Sequence, residues 1–341
     1  MATLYFDTIT AAQAAAVTAA DTIIFQTGSG AGASVSYVAA EAISPAVIRI
    51  VLGTKTVDFS LAVADVSQLG NLVFSDGSTL KLGDYPGSLT AETLAGEAGA
   101  ADGLFGGDGN DSLSGASGND LLQGNQGDDS IDGGNGADII YGGQDADVIS
   151  SGLGANFVNG NRGDDSITGS TDGETLLGGR DNDTVTGGGG ADLINGNLGN
   201  DALTGGSGAD TMFGEDGNDT LVGVGGANLL DGGNGNDSIT ATTGSNIIAG
   251  GTGNDLVNVI GGGVGTSTVD GGSGNDEIVS SSTAADSLFG GSGDDSITGI
   301  AGFDTLDGGA GNDVIVGVYA AKTIFGGDGN DTLSSYDGAN V

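Results

Sequence analysis

The sequence predicts an all-β repeat protein, and three observations carry that class. Gly accounts for 72 of 341 residues while Pro accounts for 2. A nine-residue unit, Gly-Gly-x-Gly-x-Asp-x-U-x with U large and aliphatic, recurs through most of the chain. The formal charge is −40, from 46 acidic and 6 basic residues. The x-U-x tail of each unit reads as a three-residue strand with one side chain inward and two outward. Acidic chains with few aromatics are ordinarily disordered, and collagen needs Gly at every third residue with abundant Pro. A period of nine fits neither. What remains is a repeat protein whose negative charge is neutralised by bound cations.

The same counts exclude several function classes. Without Cys there is no disulfide, thiolate metal site or thiol nucleophile. Without His there is no Ser-His-Asp triad, no HExxH zinc helix and no imidazole base. The charge repels phosphate backbones and anionic headgroups, so nucleic acid and membrane are not expected partners. No apolar run approaches the ~18 residues of a membrane span. The N-terminus has no basic residue before Arg49, so no cleaved secretory signal is expected.

Composition shifts near residue 90, which divides the chain into residues 1–90 and 91–341. The first segment holds both prolines and 8 of the 72 glycines, and reads as a small β-rich unit. A short Ala-rich helix is expected over Thr10–Ala20. Strands are expected at Thr22–Gln26, Ser34–Val38, Ala46–Leu52, Thr56–Ser60, Asn71–Phe74 and Thr79–Leu82. Asp76-Gly77 marks a hairpin between the last two. A cap on the repeats and a dedicated anchoring or assembly domain are both open readings of this segment.

From residue 91 the nonapeptide dominates. Clear copies begin at Gly106, Gly232 and Gly326, and from Gly106 to Asn258 the frame runs through 17 consecutive units without a gap. It resumes at Gly271–Val279 and again from Gly290 to Ser334. These residues resemble the RTX family of calcium-binding repeats. The residue chemistry points the same way. Gly at positions 1, 2 and 4 permits a tight turn that aims carbonyls inward, and Asp at position 6 adds a hard carboxylate. An oxygen-only ligand set suits Ca²⁺ and not soft metals. The resemblance implies a right-handed parallel β-roll, a calcium-stacked solenoid of 18-residue turns. Calcium would then lie between equivalent loops of successive turns, held by Asp carboxylates and Gly carbonyls.

Alternate units form the two edges of the expected roll, and they differ. On the first edge, position 6 is Asp in every case: Asp111, Asp129, Asp147, Asp165, Asp183, Asp201, Asp219, Asp237, Asp255, Asp276, Asp295, Asp313 and Asp331. The matching position-1 glycines are Gly106, Gly124, Gly142, Gly160, Gly178, Gly196, Gly214, Gly232, Gly250, Gly271, Gly290, Gly308 and Gly326. On the second edge Asp102, Asp120, Asp138, Asp192, Asp210, Asp286 and Asp304 alternate with Asn156, Glu174, Asn228, Asn246, Ser267, Lys322 and Asn340. All units that depart from nine residues (96–105, 259–270 and 280–289) lie on this edge. Lys322 places a cation where calcium would sit. The expectation is an unbroken calcium column on one edge and an interrupted one on the other. The apolar position 8 persists on both sides, and ~13 turns at ~4.8 Å would give a rod of ~60 Å.

The outward positions differ as well. After first-edge loops they are mainly Ser and Thr. After second-edge loops they include Phe105, Leu121, Ile139, Tyr141, Phe157, Leu177, Leu193, Phe213, Leu229, Ile247, Phe289 and Phe325. So long an apolar stripe marks a contact surface, for a second copy or for the N-terminal segment. A homo-oligomer or polymer through this face or through the ends of the roll is therefore expected, with a surface polysaccharide as a further candidate partner.

Without cations, 39 carboxylates in residues 91–341 repel one another and Gly adds a high ordering entropy. About 17 Ca²⁺, within a range of roughly 12–20, would nearly cancel the −36 of that region. The chain should therefore stay unfolded at cytosolic calcium and fold at millimolar external calcium. Export unfolded by type I secretion is what the resemblance implies. That route uses a C-terminal signal, whereas the sequence stops at Val341 in a repeat-like run. Either it continues, or another molecule completes the open end.

The leading functional expectation is a secreted, non-enzymatic structural protein of a surface layer (S-layer), biofilm matrix or adhesive coat. The alternative is the calcium-binding module of a larger secreted enzyme or toxin. Carboxylate chemistry from Asp58, Asp65, Asp76 and Asp84 lacks a motif-like spacing. Ice binding needs a regular Thr array, and outward Thr is patchy.

Overall fold

The computed structural model describes the strands of residues 1–90 and, beyond them, residues 91–261 and 265–336. Two compact units, Met1–Ile167 and Thr168–Val341, make up the chain, and each contains a parallel β-solenoid. Among the described residues there is no helix, and so none that could cross a membrane.

In the first unit, long strands stack in parallel at Gly103–Asp108, Leu121–Gln126, Ile139–Gln144 and Phe157–Arg162. Short strands at Thr93–Ala95, Ser112–Ser114, Ser130–Asp132 and Val148–Ser150 form the opposite sheet. Leu121 pairs with Ile139, and Leu113 with Ile131, each an 18-residue step. Two nonapeptides therefore make one turn. The long strand joins the x-U-x tail of a second-edge unit to the first residues of the next first-edge unit.

The strands of the N-terminal segment follow the expectations closely. Thr22–Phe25, Ser34–Val38, Val47–Leu52, Lys55–Ser60, Leu72–Phe74 and Thr79–Leu82 are present, together with an unexpected strand at Thr3–Tyr5. Leu72–Phe74 and Thr79–Leu82 pair antiparallel across the Asp76-Gly77 position. The helix expected over Thr10–Ala20 lies outside the described residues. Thr79–Leu82 in turn pairs with Gly103–Asp108, placing Leu82 opposite Phe105. Phe105 is 5% exposed. This corrects its assignment to the outward stripe, because this first long strand is buried along its length.

In the second unit the same two sheets run from Thr175–Arg180 to Thr323–Asp328 and from Thr184–Gly189 to Thr332–Tyr336. The irregular second-edge units lengthen the step without breaking register. Ile247 pairs with Thr268, 21 residues on, and Thr268 with Ser287, 19 residues on. A period-2 strand fixes which side faces in, so the extra residues must sit in the loops.

The inner column follows from the aliphatic at position 8. Leu176, Ile194, Met212, Leu230, Val269, Leu288 and Leu306 are fully buried on one side, and Val185, Leu221, Ile239, Val257, Ile278 and Ile297 on the other. At the last described rung Leu333 is 49% exposed. Leu230→Ala should therefore cost ~2–5 kcal/mol, read as a lower urea midpoint in millimolar calcium, whereas Leu333→Ala should cost well under half of that.

Candidate functional site

Position 6 is where backbone and side chain of successive turns meet. Each first-edge Asp from Asp111 to Asp313 is buried, and Asp331 is half-buried. One carboxylate oxygen, Oδ1, accepts the backbone N–H of the position-6 residue one turn earlier. Asp129 N donates to Asp147 Oδ1 at 2.9 Å, Asp201 N to Asp219 Oδ1 at 2.7 Å and Asp276 N to Asp295 Oδ1 at 2.8 Å. The Asp carbonyl accepts from the following turn, as in Ser238 N to Asp219 O at 2.7 Å. Second-edge Asp102, Asp120, Asp138, Asp192, Asp210, Asp286 and Asp304 are buried too, and Asp102 N donates to Asp120 Oδ1 at 2.7 Å.

The second oxygen has a different environment. Oδ2 of Asp129, Asp147, Asp201, Asp219, Asp237, Asp255, Asp276, Asp295 and Asp313 is buried without a hydrogen-bond partner, as is Oδ2 of Asp120, Asp138, Asp192 and Asp210. A carboxylate so placed costs free energy unless a cation or proton meets it. Burial accordingly pushes Asp129 and Asp237 up to about 7 and Asp147 up to about 8, neighbouring carboxylates adding to the shift.

Position 1 must be Gly because Oδ2 occupies its side-chain space. A Cβ at Gly124, Gly142, Gly178, Gly196, Gly214, Gly232, Gly271, Gly290, Gly308 or Gly326 would lie closer than 3.0 Å to Oδ2 of the Asp five residues on. Gly106 and Gly250 face Asp111 and Asp255 in the same way, and Gly160 is buried at the equivalent place.

The interrupted second edge shows what this site requires. Lys322 is fully buried, and its Nζ donates to Asp304 Oδ2 at 2.6 Å and to the carbonyls of Ala301 at 2.6 Å and Gly302 at 2.8 Å. The oxygens of positions 3, 4 and 6 of one loop thus converge on a single cationic centre. Where Asn replaces Asp, its amide donates to a carbonyl of its own loop: Asn156 to Gly152 at 3.1 Å, Asn228 to Gly225 at 2.9 Å and Asn246 to Gly244 at 3.4 Å. Ser280, standing where Gly is usual, donates its hydroxyl to Asp286 Oδ2 at 2.7 Å. Ser170 does the same for Glu174. These departures from the motif supply covalently a donor aimed at the loop oxygens; Ser267 differs, its hydroxyl oxygen accepting the Asn246 N–H at 3.3 Å. The regular loops have Asp there, an acceptor among acceptors, so the residues present fit a hard cation. Among the described residues no three carboxylates cluster as a metal site, so the ligand set must combine one carboxylate per loop with backbone carbonyls.

Two features went unread in the sequence. Glu92 occupies position 6 one turn before Asp111, whose Oδ1 accepts the Glu92 N–H at 2.8 Å, and Leu94 behind it is buried. The signal was Thr93-Leu94-Ala95, an x-U-x tail. The second is an exterior ladder at position 5 of the first edge. Asn218 N donates to Asn200 Oδ1 at 2.8 Å, Asn236 N to Asn218 Oδ1 at 2.8 Å and Asn254 N to Asn236 Oδ1 at 2.7 Å. Position 5 is Asn or Asp in 12 of 13 first-edge units and mostly Ala on the second edge, which was the signal.

Three outcomes follow. In chelator at pH 8 the far-UV circular dichroism should lose the β signal that millimolar calcium produces. Because the raised carboxyls bind more protons in the metal-free roll than in the unfolded chain, that roll is most stable below about pH 4. Its stability falls as pH rises through 6 to 8; acidification in chelator should thus restore β signal, and calcium affinity should fall. Asp304→Ala should cost ~3–5 kcal/mol by removing the carboxylate counter-charge of the buried Lys322 ammonium, measured by urea unfolding in calcium.

The family model for the RTX calcium-binding nonapeptide repeat matches in overlapping windows across residues 87–341. The windows leave out 283–288 and 318–322, which contain Asp286 and Lys322. No curated protein matches the chain. RTX repeats bind Ca²⁺, and proteins that carry them are generally secreted. With the match covering well over half of its length, the chain belongs to the family of RTX calcium-binding nonapeptide-repeat proteins.

Proposed function

We propose that this is a secreted, non-catalytic structural protein that folds on calcium outside the cell and assembles into a surface layer, matrix or adhesive coat. The observation that carries the calcium part is the column of buried Oδ2 atoms without a donor. Binding to the folded state alone converts metal affinity into folding free energy. The first edge takes an ion between each pair of turns. The second edge takes ions only at loops keeping Asp or Glu without a built-in donor, such as those of Asp120, Asp138, Asp192 and Asp210. That puts the total at roughly 15. Lys322→Asp should add one ion to the stoichiometry measured by equilibrium dialysis. An unchanged count would contradict the stand-in role of the ammonium.

Assembly is supported by the outward face of the long-stranded sheet in each unit, where apolar side chains stand in two rows set two residues apart. Ile139 is 44% exposed in the first unit, and Ile247 and Phe325 are 60% and 52% exposed in the second. Leu193, Leu229 and Phe289 are exposed and Phe157, Leu177 and Phe213 half-buried on the same face of their unit's sheet. Its occupant in this reading is a second copy of the chain. Electron microscopy in millimolar calcium should show ordered assemblies, dispersed by Ile247→Ser with Phe289→Ser. Dispersed monomers of the unaltered protein would instead favour a calcium-binding module of a larger secreted enzyme or toxin.

A further inference from the structure

The first unit carries a concavity of about 540 Å³ on its long-stranded sheet, within the ~300–1,000 Å³ common for small-molecule sites. Its shape follows from register. Gln123 and Tyr141 stand in one row, and Asn125, Gly143 and Asn161 in the next. Gly143 has no side chain between two asparagines that have one, so the row dips at its centre. Gln144 and Arg162 close the far side.

The walls are held in place. Asn125 and Asn161 occupy the motif's second Gly position at φ 90° and 79°, a region that L residues enter at a cost. Local bonds fix their amides: Gln123 Nε2 donates to Asn125 Oδ1 at 2.8 Å, and Asn161 Nδ2 to Asn159 O at 3.2 Å. Tyr141 is half-buried and braced edge-on by Phe157, ring centroids 5.9 Å apart. The nearby acid, Asp108, accepts from Gln126 Nε2 at 3.0 Å.

We infer that this concavity binds a neutral saccharide unit. After these local bonds each planar amide keeps an N–H and an acceptor lone pair, matching the paired donor and acceptor character of ring hydroxyls. An aromatic face of Tyr141 suits the apolar C–H side of a pyranose. A chain of charge −40 with one arginine at the site disfavours an anionic ligand, and the amide-dominated lining does not suit an apolar one. The site needs only the folded first unit and does not depend on assembly.

The test uses the full chain in millimolar calcium on an array of immobilised neutral oligosaccharides built from glucose, galactose and mannose. Retention of at least one, weakened tenfold or more by Tyr141→Ala and by Gln144→Ala with the calcium-induced circular dichroism unchanged, is the expected result. Should Tyr141→Ala disturb folding, the exposed Gln144→Ala carries the test alone. No retention above a blank surface, or retention that the variants leave unaltered, overturns the inference. The circular dichroism control separates that failure from a failure of calcium-dependent folding.

Discussion

The structure turns on acceptors that face acceptors. A loop rich in Gly brings carbonyl oxygens close to one oxygen of a buried carboxylate, and Oδ2 of Asp129, Asp147, Asp219 and Asp237 among others meets no protein donor there. In water each oxygen would be solvated; inside the stack each is a liability of about 1–3 kcal/mol, more when charged. Only a hard cation or a proton reconciles the arrangement. The repeat is therefore incomplete as a polypeptide. Its folded state is specified jointly by sequence and ion.

The second edge makes the same argument from the opposite direction. At Asn156, Asn228, Asn246 and Lys322 the side chain that replaces the carboxylate donates, and Ser280 donates to a carboxylate that is kept, while Ser267 accepts the Asn246 N–H. The Lys322 ammonium, the amides of Asn156, Asn228 and Asn246 and the hydroxyl of Ser280 all deliver a donor to loop oxygens. Five residues arriving at one electrostatic solution are hard to explain unless the loop geometry demands a donor. The two edges consequently have different tolerances. The first is braced by inward Asp bonds and by an outward Asn ladder that runs in the opposite sense, and it keeps its spacing. The second lacks most of that ladder, and there the long units 259–270 and 280–289 are accommodated.

Much of this was legible because a nonapeptide frame converts residue number directly into position. The β class, the 18-residue turn, the buried position-8 column, the Asp columns and the cationic place of Lys322 all follow from that frame. What escaped depended on neighbours rather than on frame. Phe105 has an outward position-9 register, yet its strand is the first long one and pairs with Thr79–Leu82, so it is buried. Glu92 hid behind a longer carboxylate in an atypical unit. Ser280 and Ser170 act through hydroxyls five or so residues from the position being scanned, a relation set by loop shape. The saccharide-sized hollow exists because Gly143 falls between Asn125 and Asn161 in adjacent turns, which is visible only once the turns are stacked.

The most direct measurement is anomalous scattering from crystals grown with calcium or a lanthanide in its place. The account predicts metal peaks at coordination distance from Oδ2 of Asp129, Asp147, Asp219 and Asp237, and none in the loop where Lys322 meets Asp304. Regular loops without metal at saturating concentration, or a metal displacing the Lys322 ammonium, would contradict it.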